Sequence, residues 1–342
     1  MNDLKSMTFE EVQDLVLSID EPKFRAKQIF GWINKGISDF SQMKNIPNSL
    51  KEKLTNYSYI SVANIEKKQI SSYDNTVKYL YRLYDDNFIE SVVMSYHHGN
   101  TICISTQVGC KMGCRFCATG KQGFTRNLTA GEMIAQIETA QKDLGVRISN
   151  IVLMGMGEPL DNFDNVMRFL DLVSSDEGLC IGKRHITLST CGIVPRIYDL
   201  ADRKLQITLS VSLHAPNDKM RSATMPINDA YNIKELIKAI RYYIDKTGRR
   251  VSFEYSMIDG VNDSDSSAHE LGKLIKGMLC HVNLIPVNTV KGSDYRRSNK
   301  DRLISFTNIL EGYGITATTR RTLGSDIDAS CGQLKGKYQE RR

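Results

Sequence analysis

Apolar and polar positions change their rhythm twice along the chain. From residue 1 to about 55 the apolar residues recur at helical spacing, most clearly in Phe24-Arg-Ala-Lys-Gln-Ile-Phe-Gly-Trp-Ile33. Thr8-x-x-Glu11 and Ser49-x-x-Glu52 are capping-box patterns, in which a hydroxyl and a carboxylate each satisfy a backbone N–H left unpaired by the first turn. An N-terminal helical unit over 1–57 is expected. Residues 59–70 and 77–94 alternate instead, as in Thr76-Val-Lys-Tyr-Leu-Tyr-Arg-Leu-Tyr84, and predict a small β extension over 58–98. Beyond residue 100, short β-branched runs lie at 101–107, 150–156, 185–190, 206–213, 251–258 and 281–287, with a further run at 315–320. Amphipathic stretches near 129–145, 162–174, 194–203, 232–247, 265–277 and 299–312 separate them. Strand–helix alternation of this kind predicts an α/β fold with a parallel sheet. No G-x-G-x-x-G follows the first strand, so a dinucleotide-binding fold has no support. A (β/α) barrel, complete or partial, is expected over 99–320, with its chemistry on the loops that follow the strands.

Composition narrows the class. At 342 residues, 41% hydrophobic and 25% charged, the chain has room for about two domains and the make-up of a folded globular protein, without repeats or low-complexity tracts. No apolar run approaches the ~18 residues of a membrane span. The opening Met1-Asn-Asp-Leu-Lys-Ser-Met lacks the charged and apolar regions of a signal peptide, so a cytoplasmic location and no membrane partner are expected. Eight cysteines in a reducing compartment are not expected to form structural disulfides, and a cluster of them points to metal or catalysis. The net charge is +6, but between Leu284 and Arg342 eleven bases face only six acids. That excess suits a polyanion such as nucleic acid, and equally a solvated basic surface.

The loop after the first barrel strand reads Gly109-Cys110-Lys-Met-Gly-Cys114-Arg-Phe-Cys117-Ala-Thr-Gly120. Three thiols at x3 and x2 spacing can converge on one metal centre. A structural zinc ordinarily takes four protein ligands, and no second Cys/His pair of finger spacing exists among the scattered cysteines 103, 180, 191, 280 and 331. A [4Fe–4S] cluster held by three thiolates keeps one iron open for a small chelating ligand. The Cys-x3-Cys-x-Phe-Cys pattern resembles the signature of the radical S-adenosylmethionine (SAM) superfamily. The resemblance implies that Cys110, Cys114 and Cys117 hold a [4Fe–4S] cluster whose open iron binds the amino and carboxylate groups of SAM. It places Phe116 near the adenine and implies a partial (β/α)6 barrel.

Other strand ends carry small or polar groups suited to holding that cofactor. Met154-Gly-Met-Gly157-Glu158-Pro159 combines a glycine, which permits close backbone approach, with a carboxylate for an ammonium group; alone it would read as a tight turn. Ser189, Ser212-Leu213-His214 and Asn288 follow successive strands; singly they would read as helix caps. A lone cysteine is more often a small buried hydrophobe than a nucleophile, which is the reading for Cys180 and Cys280. Cys331 differs, lying in the polar, glycine-flanked run Gly324-Ser-Asp-Ile-Asp-Ala-Ser-Cys331-Gly-Gln-Leu334, where a thiol can be reached.

Thr106-Gln-Val-Gly-Cys110, Met154–Pro159, Val211-Ser-Leu-His-Ala-Pro216, Met225-Pro-Ile-Asn228 and Asp326–Leu334 together resemble the RlmN/Cfr family of radical SAM RNA methyltransferases. The likeness runs from Phe24 to Leu334. Pro159 and Val108, where the Cfr branch favours alanine and cysteine, point to the RlmN branch. The family implies methylation of carbon 2 of an adenosine in the peptidyl-transferase loop of 23S rRNA, and in some bacteria of the adenosine 3′ of certain tRNA anticodons. The alternatives are Cfr-like methylation of carbon 8, with antibiotic resistance, and a non-catalytic zinc-stabilised RNA-binding protein. Carbon 2 of adenine is electron-poor and carries no acidic hydrogen, so a radical route is chemically reasonable. The resemblance assigns the accepted methyl group to Cys331, in the segment 321–342, and the resolving attack to Cys103, through a transient Cys103–Cys331 disulfide. It makes Glu90 the proton acceptor, although Glu90 alone would read as an exposed strand residue. An electron donor such as flavodoxin or ferredoxin, and a monomer, complete the expectation.

Overall fold

Thr8 caps the first helix: its hydroxyl accepts from Glu11 N at 3.3 Å, while the Glu11 carboxylate accepts from Thr8 N at 2.8 Å. That helix, Phe9–Ser18, packs with Phe24–Ile33 and Asn48–Tyr57 around Val12, Val16, Ile29, Met43 and Leu50, in a core of its own. The Ser49–Glu52 box does not form. Asn48–Tyr57 begins directly after Pro47, so Ser49 lies inside the first turn and no side chain caps it. The computed structural model describes residues 1–288 and 295–336. Lys291, Lys337, Arg341 and Arg342, four of the expected C-terminal bases, lie outside the described residues, as do the acids Asp294 and Glu340.

One ten-stranded sheet organises the rest, and its strand order follows the chain. The strands β1 (Asn64–Ile70), β2 (Val77–Arg82), β3 (Phe88–Tyr96) and β4 (Gly99–Cys103) pair antiparallel. From β4 onward every pairing is parallel, through β5 (Ile148–Leu153), β6 (Ile186–Thr190), β7 (Thr208–Ser212), β8 (Val251–Met257), β9 (Cys280–Pro286) and the short β10 (Ala317–Thr319). The edge strands β1 and β10 do not meet, so the fold is an open, partial barrel of six parallel strands with a short seventh. Leu209, Val211, Val251, Phe253 and Leu284 are fully buried, and along their strands they alternate with Ser210, Ser252, Glu254 and Asn283, which fall on the opposite face.

The expected run 77–94 is two strands. Leu83 and Tyr84 carry the alternation into a turn that Asp86, at φ 58°, closes, with Leu83 N donating to Asn87 O at 2.9 Å. The first barrel strand ends at Cys103 and not at 107. The Ser105 hydroxyl donates to Glu90 O at 2.6 Å and accepts from Met156 N at 3.0 Å, which bends the backbone out of the sheet. Gln107–Cys110 then forms an antiparallel hairpin with Gly123–Asn127, and the cysteine loop lies at its tip. Two short helices that the pattern did not predict, Asp218–Thr224 and Ile227–Ala230, follow β7.

Several polar groups bolt the N-terminal unit to the barrel, among them the Glu11–Arg168 pair at 2.8 Å and one buried carboxylate. Asp3 accepts from Lys5 N, the Ser6 and Ser61 hydroxyls and the Thr129 hydroxyl, which itself caps the helix Ala130–Leu144. Lys5 pairs with Glu138 on the same helix. No helix among the described residues is long and apolar enough to cross a membrane.

Candidate active site

The hairpin that carries the cysteine loop depends on Gly109. Its φ is +74°, and a Cβ there would collide with Gly123 O. Beyond it, Cys117 N donates to Cys114 O at 3.1 Å, folding the three cysteines into one turn. Cys110, Cys114 and Cys117 all line a cleft of about 950 Å³, its open mouth included, at the C-terminal ends of the strands. Burial pushes the Cys110 thiol up to about 12, with Glu158, Cys117 and Asp161 adding to it. Burial raises Cys114 too, and Cys117 and Cys110 raise it further. The opposition to ionisation at Cys110 and Cys114 is what a cationic metal centre would relieve. Among the described residues no three Cys, His, Asp or Glu side chains close on a single ion, as a mononuclear zinc requires. A cluster that offers a separate iron to each thiolate suits the donor set.

The loops expected to hold SAM line the same cleft. Gly157 sits at φ +104°, and a Cβ on it would lie 2.6 Å from Gln107 Cβ, so the loop after β5 can close on the hairpin only with glycine there. Glu158 is buried; its carboxylate accepts from Leu160 N at 3.0 Å and from Cys191 N at 2.8 Å, joining the β5 and β6 loops. Burial raises its carboxyl above the usual range, and those N–H donors oppose the rise. Ser189, Ser212, His214 and Asn288 are also on the wall. Phe116 packs edge-on against the His214 ring, centroids 4.8 Å apart. Leu213 is fully buried behind the wall, where its backbone N donates to Glu254 O at 3.1 Å.

The C-terminal segment reaches the cleft by docking on the cysteine loop. Ala118 N donates to Gly332 O at 2.7 Å and the Thr119 hydroxyl to Leu334 O at 2.8 Å, while Asn288 Nδ2 donates to Cys331 O at 3.1 Å. Cys331 is thereby half-buried in the cleft and also lines a second hollow beside it, together with Cys103 and Tyr96. Cys117, Met154 and Arg320 also line both, so the two hollows adjoin. Burial pushes the Cys103 thiol up to about 12; Cys331 adds to the rise and Arg320 opposes it. Both thiols are free. Glu90 lies off both walls, buried behind the C-terminal segment. Its carboxylate pairs with Lys78 at 3.1 Å and accepts from Lys335 N at 2.6 Å.

Three side chains of consequence escaped the sequence. Arg320, counted there as one more C-terminal base, points inward between the two thiols and the Glu254 carboxylate, 3.8 Å from the latter. Its only local signal is its place directly after a strand. Lys78 reads as a surface base on an alternating strand, yet it is buried, pairs with Glu90 and donates to Asp328 O at 3.0 Å. Glu254 sits mid-strand, accepting from the Ser210 hydroxyl at 2.6 Å, with no motif around it. The reading of Cys180 as a buried hydrophobe is corrected: it is exposed at φ 53°, and Cys280 is only half-buried.

Comparison with known proteins agrees with this geometry. Residues 104–271 match the model of the radical SAM superfamily, and residues 2–60 match that of the ribosomal RNA large subunit methyltransferase N-terminal domain. A protein of Alkaliphilus oremlandii described as "Probable dual-specificity RNA methyltransferase RlmN" is 56% identical over 336 residues, 98% of each chain. One of the same description from Thermoanaerobacter sp. (strain X514) is 52% identical over 343 residues and the whole of each chain. The crystal structure of a radical SAM methyltransferase from Sphaerobacter thermophilus superposes with a TM-score of 0.94 at 44% identity, covering 98% of this chain and 100% of that one.

Proposed function

The chain belongs to the RlmN family of radical SAM proteins, and from that premise we propose that it is an RNA methyltransferase acting on carbon 2 of adenosine in 23S rRNA and in tRNA. The observation that carries the reading is that Cys331 lines both hollows, the cysteine cleft on one side and the hollow of Cys103 on the other. A zinc-stabilised binding protein would have no use for that convergence.

Cys110, Cys114 and Cys117 would hold the [4Fe–4S] cluster, and the walls at Gly157, Glu158, Ser189, Ser212, His214 and Asn288, with Phe116, would hold SAM. When bound, the two supply the one-electron chemistry that an unactivated ring carbon needs. The remaining work belongs to the chain. The Cys331 sulfur takes a methyl group by attack on a sulfonium, forming its S–CH3 bond while S-adenosylhomocysteine leaves. Its loop, held by Gly332, Leu334 and Asn288, points the sulfur into the cleft. Once that carbon is bonded to the base, the Cys103 sulfur attacks Cys331. An S–S bond forms as the S–C bond breaks, and the leaving electron pair stays with the base-bound methylene carbon, which takes up a proton from water to become the methyl group. Cys103 must first lose its proton against the burial that raises it, and Arg320 is the cation that opposes that rise. Glu90, oriented by Lys78, accepts the ring proton once Lys335 N releases it.

We divide the chain into a helical unit at 1–57, a β extension at 58–98, the radical SAM core at 99–320 and a methyl-carrying segment at 321–342, supported by the separate N-terminal core. A flavodoxin- or ferredoxin-like donor and a monomeric enzyme complete the proposal. The decisive test compares two variants on rRNA and tRNA substrates. Cys103→Ala should accumulate protein covalently joined to RNA through Cys331, seen as a nuclease-sensitive band on a denaturing gel. Cys331→Ala should give neither methylation nor adduct. An adduct in Cys331→Ala would reverse the two roles, and none in Cys103→Ala, with iron and RNA binding intact, would remove the resolving step.

A further inference from the structure

The run Met225-Pro-Ile-Asn228 belongs to the family likeness, yet no part of it is needed for the chemistry above. The structure gives it a task. Asn228 Oδ1 accepts from Arg221 Nη1 at 3.1 Å, and Arg221 is the largest fully buried side chain among the described residues. Its Nη2 donates to Cys191 O at 2.6 Å and to Ser212 O at 3.2 Å, and its Nε to Leu213 O at 3.2 Å. One guanidinium thus ties the ends of β6 and β7 behind the cleft. All four acceptors are uncharged. Burial pulls its pKa below the usual value, and the groups that oppose this are Cys191 and Cys114, ahead of the Asp218 carboxylate. A buried cation costs several kcal/mol unless a negative charge compensates it.

The compensating charge lies across the cysteine loop. Arg115 N donates to Thr224 O at 3.0 Å, seating the loop on the short helix Asp218–Thr224 that carries Arg221. Cys191 and Ser212, whose carbonyls Arg221 holds, line the same cleft as Cys110, Cys114 and Cys117. With zero exposure Arg221 is absent from the cleft wall and cannot touch a ligand, so it acts through its field. We propose that Arg221 is the fixed counter-charge of the iron–sulfur cluster, a positioned cation sealed behind the Cys114 side of the loop that makes the cluster easier to reduce. A cluster held by three thiolates is anionic and gains a further negative charge on reduction, so a nearby buried cation favours the reduced form. The inference rests on the cluster assignment to Cys110, Cys114 and Cys117.

The test is a redox titration of the cluster-loaded full chain, without RNA, followed by electron paramagnetic resonance and compared among wild type, Arg221→Gln and Arg221→Lys. At the potential where half the wild-type cluster is reduced, the reduced-to-oxidised ratio in Arg221→Gln should fall by about tenfold or more. Arg221→Lys, which keeps the charge but cannot span the same acceptors, should stay near the wild-type ratio even if it melts at a lower temperature. An unchanged ratio in Arg221→Gln with full iron content would overturn the proposal and leave Arg221 a strut for strand ends. So would a Lys variant displaced as far as the Gln variant. If Arg221→Gln takes up no iron, the Lys variant decides by the same criterion. Wild-type protein that holds no iron would instead sink the cluster assignment, and this inference with it.

Discussion

His214 shows how much a single residue's environment can fix. It stands at φ 55°, and its Nδ1 accepts from Ser256 N at 2.9 Å, which places the ring proton on Nε2. Asn262 Nδ2 donates to its carbonyl at 2.7 Å. Burial depresses the imidazole to about 3, with Arg221 adding to the effect, from an unfolded value of 6.5. Between those values the unfolded chain binds a proton that the folded chain refuses. The stability this neutral ring secures is complete above pH 6.5 and is lost as pH falls toward 3. Urea unfolding of the metal-free protein should therefore show stability falling between pH 7.5 and 5.5. In His214→Asn, whose Oδ1 can replace Nδ1 as acceptor, the slope should be shallower by up to about 1.4 kcal/mol per pH unit. Parallel wild-type and variant curves would show that the ring is not kept neutral.

At the scale of elements, the site is a set of strand ends clamped to one another, and Glu158 is the clamp between β5 and β6. Its two oxygens receive Leu160 N and Cys191 N, so an arriving ammonium group would be a third donor. Glu158→Ala should then do two things. It should strand two buried N–H groups, lowering stability by about 1–3 kcal/mol in urea unfolding. It should also weaken SAM binding by roughly tenfold to a hundredfold in equilibrium titration, through loss of a charge-assisted contact. Lowered stability with unchanged affinity would confine Glu158 to the clamp.

Across the whole molecule, an N-terminal unit with its own core is joined to the barrel by polar groups that include Asp3, the Lys5–Glu138 pair and the Arg168–Glu11 pair, and Asp3 is the one that gathers three hydroxyls. Removing its carboxylate leaves the Ser6, Ser61 and Thr129 hydroxyls without that acceptor. Asp3→Ala should cost about 1–3 kcal/mol and speed proteolytic cleavage near residue 60, while leaving SAM affinity unchanged. An unaltered cleavage rate would mean that the remaining contacts hold the two units together. The charge tally is also changed by the tertiary structure. Arg320 is spent inside, on Glu254 and the thiols, and contributes nothing to an RNA-facing surface.

What the sequence determined by itself is whatever short-range periodicity records. Helical periodicity marked the helices, because side chains three or four apart share a face wherever the element ends up, and short β-branched runs marked the six barrel strands between them. The cysteine spacing marked the loop, because eight consecutive residues can only be near each other. The first barrel strand was drawn too far, since Ile104 and Thr106 continue the β-branched run although the Ser105 bonds have bent the chain away from the sheet. The meeting of Cys103, Cys117 and Cys331 was decided only by the tertiary structure, as were the burial of Lys78 beside Glu90 and the inward turn of Arg320 and Arg221. Each joins positions far apart in sequence through the register of parallel strands and the docking of a C-terminal loop. No local pattern of residues encodes those distances.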